Sequence, residues 1–216
     1  SVVVFQNEDD KQLFIKQKLV ADAKTRIIKG SGVNTSYFIA ESKKEIDTSG
    51  KPFRFLMVAR LLFDKGIQEF AEAAKQLKEL HGEKVECVLI GALDADKNLG
   101  IREEQLLDWT NRYKLIYKAF SNPIVKEYHD ATAVVLPSYR EGLSKSLLEA
   151  ASSSLPLIAT NVPGCKDVVV EDWNGYLCEP KSSADLFSKM NKMITLSKAE
   201  IQNMGLNSRM FVEQNF

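Results

Sequence analysis

Cysteine is scarce in this chain: Cys87, Cys165 and Cys178 are the only three in 216 residues, and none forms a Cys-x-x-Cys pair. An odd, widely spaced set argues against a disulfide framework and a zinc site, and fits a reducing cytosol. Histidine is scarcer still. His81 and His129 lack metal-ligand spacing and read as solvated surface residues. Neither sign of charge dominates, since 29 Lys and Arg balance 29 Asp and Glu. The balance removes any global pull towards nucleic acid or anionic membrane, so a basic site must be local. No apolar run approaches the roughly 20 residues that a membrane-spanning helix needs. The opening Ser-Val-Val-Val-Phe-Gln has no charged leader and is too short for a signal peptide. It reads as a strand entered in mid-domain.

Several nucleotide and hydrolase signatures are also missing. Gly30-Ser31-Gly32 follows a strand, but no third glycine opens a helix and no acidic residue ends a following strand. There is no Walker loop. Ser144 and Ser146 lack a Gly-x-Ser-x-Gly elbow and a histidine to activate them. No repeat, low-complexity tract or heptad is present.

What remains is an ordinary globular composition, 44% hydrophobic and 27% charged. Val2 to Phe5 reads as a strand, and Asn7-Glu8-Asp9-Asp10 caps and charges a helix to about Lys18. Arg26 to Ile28 is a second short strand. The polar stretch Glu41 to Lys51 reads as a linker, which places a domain boundary between residues 29 and 51. From Phe53 onward strands and helices alternate. Phe53 to Ala59, Val85 to Ile90, Lys114 to Phe120, Ala133 to Leu136, Pro156 to Thr160 and Tyr176 to Cys178 are the strands. Residues 67 to 80, 101 to 112, 123 to 128, 183 to 196 and 198 to 213 are helical, with a further helix starting near Ser144. Near-continuous apolar strands mean a sheet buried on both faces, so the fold class is α/β, a doubly wound parallel sheet.

In such sheets ligands bind beyond the carboxyl ends of the strands. The loop after Ala59 carries Arg60 and Lys65, two cations able to neutralise a diphosphate. Surface ion pairing, for instance with Asp64, is the bland alternative, and exposed pairs are common and weak. The loop from Pro137 to Leu143 carries Glu141, and Glu149 lies eight positions on, about 2.2 helical turns. Unpaired N–H groups and the positive dipole end would hold an anion where that helix starts. Glu149 is either a solvated face residue or, among Leu147, Leu148, Ala150 and Ala151, a half-buried carboxylate needing donors. Tyr37 and Phe38 are read as packing rather than stacking on a base. Acids beside an anion cradle suit a ligand with both hydroxyls and phosphates, such as a nucleotide sugar.

Taken in order, Ala59-Arg60-Leu61, Lys65-Gly66, Pro137-Ser138-Tyr139-Arg140-Glu141-Gly142-Leu143-Ser144, Leu147-Leu148-Glu149-Ala150, Asn161-Val162-Pro163-Gly164-Cys165 and Asn174-Gly175-Tyr176 resemble family 4 of the glycosyltransferases. The resemblance runs from about Ile28 to Met193. It implies the C-terminal, donor-binding half of a GT-B enzyme, a pair of Rossmann-like domains with the active site between them. On this basis residues 52–216 are the nucleotide-sugar donor-binding domain and 29–51 the linker. Residues 1–28 are the tail of the N-terminal acceptor domain or an extra strand and helix, and the chain is expected to be a fragment.

The resemblance also implies roles. Arg60 and Lys65 hold the donor diphosphate and stabilise the leaving group, and Glu149 accepts from the ribose hydroxyls. Glu141, with the backbone amides of Gly142, Leu143 and Ser144, contacts the transferred sugar and nearest phosphate. The catalytic set is thus Glu141, Arg60 and Lys65. Transfer is expected to retain configuration and to need neither cofactor nor metal. The expected partners are a nucleotide-sugar donor, with uridine as the base, and a saccharide or lipid-linked acceptor held by the missing N-terminal domain. Nucleic acid is not among them. The expected setting is cytoplasmic, at the inner face of the membrane, where the full protein could associate peripherally.

Two departures bear on the base. Gly91-Ala92-Leu93-Asp94-Ala95-Asp96 stands where a Gly-x-Gly is usual, and Phe120 where a strand normally ends in glycine. The first, with Pro163-Gly164-Cys165-Lys166-Asp167, is similar to bacterial members that extend lipid-linked oligosaccharides for polysaccharide biosynthesis from UDP-galactose or UDP-N-acetylgalactosamine. The rival readings are a GT-B epimerase or phosphorylase, and a non-catalytic nucleotide-sugar-binding module.

Overall fold

The computed structural model describes residues 1–39, 50–94, 99–120 and 122–216. Residues 40–49 of the expected linker, with Ala95 and Asp96, lie outside the described residues. Six parallel strands form the main sheet: β3 (Phe53–Val58), β4 (Val85–Gly91), β5 (Ile116–Ala119), β6 (Ala133–Leu136), β7 (Leu157–Thr160) and β8 (Gly175–Cys178). Their order across the sheet is β5-β4-β3-β6-β7-β8. The chain thus winds outward from β3 to one edge, then returns to β6 on the other side of β3.

The register explains the buried runs. Phe55 pairs with Cys87 on one side and Ala133 on the other, and every residue of β6 and β7 is buried. Strands covered on both faces have no polar alternation to show. Outside the sheet lie α2 (Ile67–His81), α3 (Glu103–Arg112), α4 (Val125–Asp130), α5 (Lys145–Ser152), α6 (Ser183–Ile194) and α7 (Lys198–Asn215). Crossovers running in opposite directions from the sheet centre put α2 and α5 on opposite faces if both are right-handed. Accordingly α2 packs with α6, and α5 with α7. The face of α2 expected from its periodicity, Ile67, Phe70, Ala71, Ala74 and Leu77, is buried.

The first residues form a separate two-stranded parallel sheet, β1 (Val3–Phe5) and β2 (Thr25–Ile27), joined by α1 (Glu8–Lys16). Val2, Val4 and Ile28 on or beside it are exposed. Within the expected linker, Phe38 is not detached. It is buried, stacks edge-on against Tyr128 at 5.8 Å, and its carbonyl accepts from Ser152 Oγ at 2.7 Å.

Both histidines differ from expectation, being half-buried and engaged. His81 Nε2 lies 2.7 Å from Asn191 Oδ1 on α6, and His129 Nε2 lies 2.9 Å from Ile39 O. A polar ring at the foot of a packed helix finds a partner from the neighbouring element rather than water. All three cysteines are buried free thiols, and burial pushes Cys165 and Cys178 up to about 12.

Candidate functional site

Because the strand order reverses between β3 and β6, the loops after those two parallel strands lie side by side at the switch point, the place where open parallel sheets bind ligands. The loop after β3 runs through a single 3-10 turn, Phe63–Lys65, into Gly66, the residue before α2. Gly66 has φ 70°, and a Cβ there would sit 2.1 Å from Pro137 O, so only glycine lets the two loops close. They are also stitched directly, since Tyr139 N donates to Asp64 O at 2.8 Å.

This closure brings Lys65 and Glu141 together. Lys65 Nζ lies 2.8 Å from Glu141 Oε1, the same oxygen that accepts from Ser138 Oγ at 2.8 Å. The side chains of Lys65 and Glu141 are 14% and 17% exposed. Ser138 is fixed in turn by Thr160, whose hydroxyl donates to the Ser138 carbonyl from the end of β7.

The backbone beside Glu141 is equally defined. The amides of Glu141 and Ser144 donate to Pro163 O and Gly164 O at 3.1 and 3.2 Å. Among the described residues the amides of Gly142 and Leu143 have no protein acceptor. The amide donors left for an anion are therefore those of Gly142 and Leu143, while that of Ser144 is engaged. Ser144 serves locally as the N-cap of α5, its Oγ accepting from Leu147 N at 3.3 Å.

Arg60 and Glu149 stand apart from that cluster. The Arg60 side chain is 70% exposed, with Nη1 3.8 Å from Asp94 Oδ2. Its neighbours Leu61 and Leu62 turn inward and take the buried positions, which leaves Arg60 at the mouth. Glu149 projects from α5 with 12% exposure, accepts from Tyr128 OH at 3.0 Å, and lies 3.8 Å from Lys145 Nζ. Burial raises its pKa, opposed by the Tyr128 hydrogen bond and the Lys145 charge. Tyr128 itself is fully buried, and burial together with the Glu149 carboxylate pushes its hydroxyl well above the usual value.

Sequence reasoning missed Ser138 and Tyr128 as the partners of the two carboxylates. Ser138 lies three residues before Glu141, and that spacing was the available signal for a side-chain bond within a turn. Tyr128 is 21 residues from Glu149, on a different element, and carries no local signal.

A doubly wound parallel sheet, with lysine, carboxylate and unpaired amides at its switch point, defines a Rossmann-like domain of the GT-B type. The chain belongs to the group 1 glycosyl transferases, whose family signature matches residues 38–210. Two curated relatives extend that match. An N,N'-diacetylbacillosaminyl-diphospho-undecaprenol alpha-1,3-N-acetylgalactosaminyltransferase of Campylobacter jejuni is 28% identical over 95% of this chain and 54% of its own length. A UDP-Gal:alpha-D-GlcNAc-diphosphoundecaprenol alpha-1,3-galactosyltransferase of Escherichia coli is 28% identical over 97% and 55%. The chain thus spans about half the length of these curated relatives.

Among solved structures, an Anabaena protein in complex with UDP and glucose superposes with TM-score 0.84 at 19% identity, covering 100% of this chain and 59% of that one. A C-terminal domain of a group 1 family protein from Francisella tularensis superposes with TM-score 0.71 at 27% identity, covering 85% of this chain and 98% of that one.

Proposed function

We propose that this chain is the donor-binding half of a retaining glycosyltransferase that takes a UDP-sugar and glycosylates a saccharide or lipid-linked saccharide. The observation that carries the reading is the meeting of Lys65, Glu141 and the unpaired Gly142 and Leu143 amides in one crevice. A cation and two adjacent unpaired amides suit a diphosphate, and a carboxylate beside them suits a sugar hydroxyl. The activities for which the Campylobacter and Escherichia relatives are named support the lipid-linked acceptor, and the UDP in the Anabaena structure supports the base.

In this reading Lys65 moves from Glu141 to the diphosphate as the donor arrives. The released Glu141 then accepts from the sugar. Arg60, exposed at the mouth, closes over the distal phosphate, and Glu149 receives the ribose hydroxyls. Fixed positive charge where the leaving diphosphate gathers negative charge lowers the barrier without a metal ion. The exposed Val2, Val4 and Ile28 beside β1 and β2 suit the edge of a second domain, where the acceptor would be held.

No described helix is long and apolar enough to cross a membrane. Calorimetry of this chain with UDP, followed by a transfer assay with UDP-galactose, UDP-N-acetylgalactosamine and a diphospholipid-linked sugar, tests the reading. UDP is expected to bind while no sugar is transferred. Absence of UDP binding contradicts the donor assignment, and transfer by the isolated chain contradicts the need for a second domain.

A further inference from the structure

The underside of the Glu141–Leu143 turn is held by a residue from the opposite end of the chain. Asn7 is only 3% exposed, and its Nδ2 donates to Gly142 O at 2.7 Å and reaches Glu141 O at 3.4 Å. Its Oδ1 accepts from Asp10 N at 2.7 Å and so caps α1. The flanking residues reinforce the contact. Asp10 pairs with Arg140, and Asp9 Oδ1 lies 3.1 Å from Lys166 Nζ. Gln6 presses so close that a Cβ on Gly142 would fall 2.0 Å from Gln6 Oε1.

Peptide geometry gives this clasp a direction. In a planar trans peptide the C=O and the following N–H point to opposite sides. Asn7 holds the carbonyls of Glu141 and Gly142, which turns the N–H groups of Gly142 and Leu143 the other way. Those are the amides left without a protein acceptor. We propose that Asn7 is a positioning residue: it presets the turn so that these two amides face a phosphate before the ligand arrives. The proposal rests on the nucleotide-diphosphate reading given above. Donors fixed in advance spare the ligand the cost of ordering them.

The clasp is separable from the helix cap. Asn7→Asp and Asn7→Ser both keep an oxygen for Asp10 N, since all three residues are good N-caps. Asp replaces the donor by a carboxylate facing two carbonyl oxygens and the Asp10 carboxylate, which lies 3.0 Å from Asn7 Nδ2, and Ser is too short to span the gap to the carbonyls. The 216-residue chain is titrated with UDP by calorimetry and with uridine by NMR, alongside thermal melts. In both variants UDP affinity is expected to fall about 5- to 10-fold, as for loss of a hydrogen-bonded brace. Uridine affinity, which does not involve the turn, stays unchanged.

Equal UDP affinity in wild type and Asn7→Ser overturns the positioning role alone. A parallel loss of uridine binding also overturns it, because a purely structural defect lowers both ligands together. Asn7→Ser adds no charge to the buried site and decides the matter should Asn7→Asp fail to fold. Wild-type chain that binds no UDP overturns the nucleotide reading itself, and the positioning role with it.

Discussion

Lys65 Nζ rests 2.8 Å from Glu141 Oε1 across the two loops of the crevice, with both side chains largely withdrawn from solvent. On the proposed reading the pair serves two ends: it closes the unliganded site, and it stores a cation and an acid where a sugar diphosphate would separate them. Breaking one partner strands the other. We expect Lys65→Met to cost about 1–3 kcal/mol in urea unfolding and to abolish measurable UDP binding. Lys65→Met combined with Glu141→Gln recovers most of the stability but none of the binding, because Gln still accepts from Ser138 and needs no cation. A double mutant as unstable as the sum of the singles contradicts the pairing.

Arg60 is expected to show the opposite balance. At 70% side-chain exposure its loss removes little packing, so Arg60→Ala shifts stability by no more than about 0.5 kcal/mol. UDP affinity falls about 10- to 100-fold, the range for one charge-assisted contact to phosphate. Calorimetry and thermal melts on one preparation check both halves.

Gly66 carries a backbone prediction. With φ 70° and Pro137 O 2.1 Å from a virtual Cβ, Gly66→Ala must shift one loop against the other. The expected loss is about 2–4 kcal/mol from left-handed strain and overpacking together. UDP binding is lost in the same variant even under conditions where it stays folded, since Lys65 is the adjacent residue.

Glu149 supplies a pH signature. Burial raises its folded pKa, so the folded state binds the proton more tightly than the unfolded state does. The sign follows: this group contributes most stability at low pH, and the contribution is lost as pH rises through the ordinary carboxylate range to the raised value. Glu149→Gln keeps an acceptor for Tyr128 and removes that component. The stability difference between variant and wild type is therefore expected to grow in favour of Gln as pH rises from about 4 to 7, followed by urea unfolding. A difference independent of pH would show that Glu149 does not ionise against a burial cost.

Much of this site was legible in the sequence because its elements are locally determined. Four apolar residues ending just before Pro137 announce β6, and the helix expected to start near Ser144 is α5, which Ser144 caps. Lys65 and Glu141 were both picked out, each from its loop. Their pairing was not, since they are 76 residues apart. The Asn7 clasp, 135 residues from Gly142, is hidden for the same reason: the local signal at Asn7 is a helix cap, in which its oxygen and its amide nitrogen both find a partner in Asp10. Sequence also treated Arg60 and Lys65 alike. Packing separates them, because Gly66 draws Lys65 under the Pro137 loop while Arg60 remains at the surface.

The central claim is that a diphosphate lies between the lysine and the turn. A crystal structure of this chain grown with UDP tests it most directly. The account predicts phosphate oxygens within hydrogen-bond reach of Lys65 Nζ and of the Gly142 and Leu143 amides, with the Lys65–Glu141 pair broken and the ribose at Glu149. A bound UDP that leaves that pair intact, with its phosphates away from the Gly142–Leu143 turn, would contradict it.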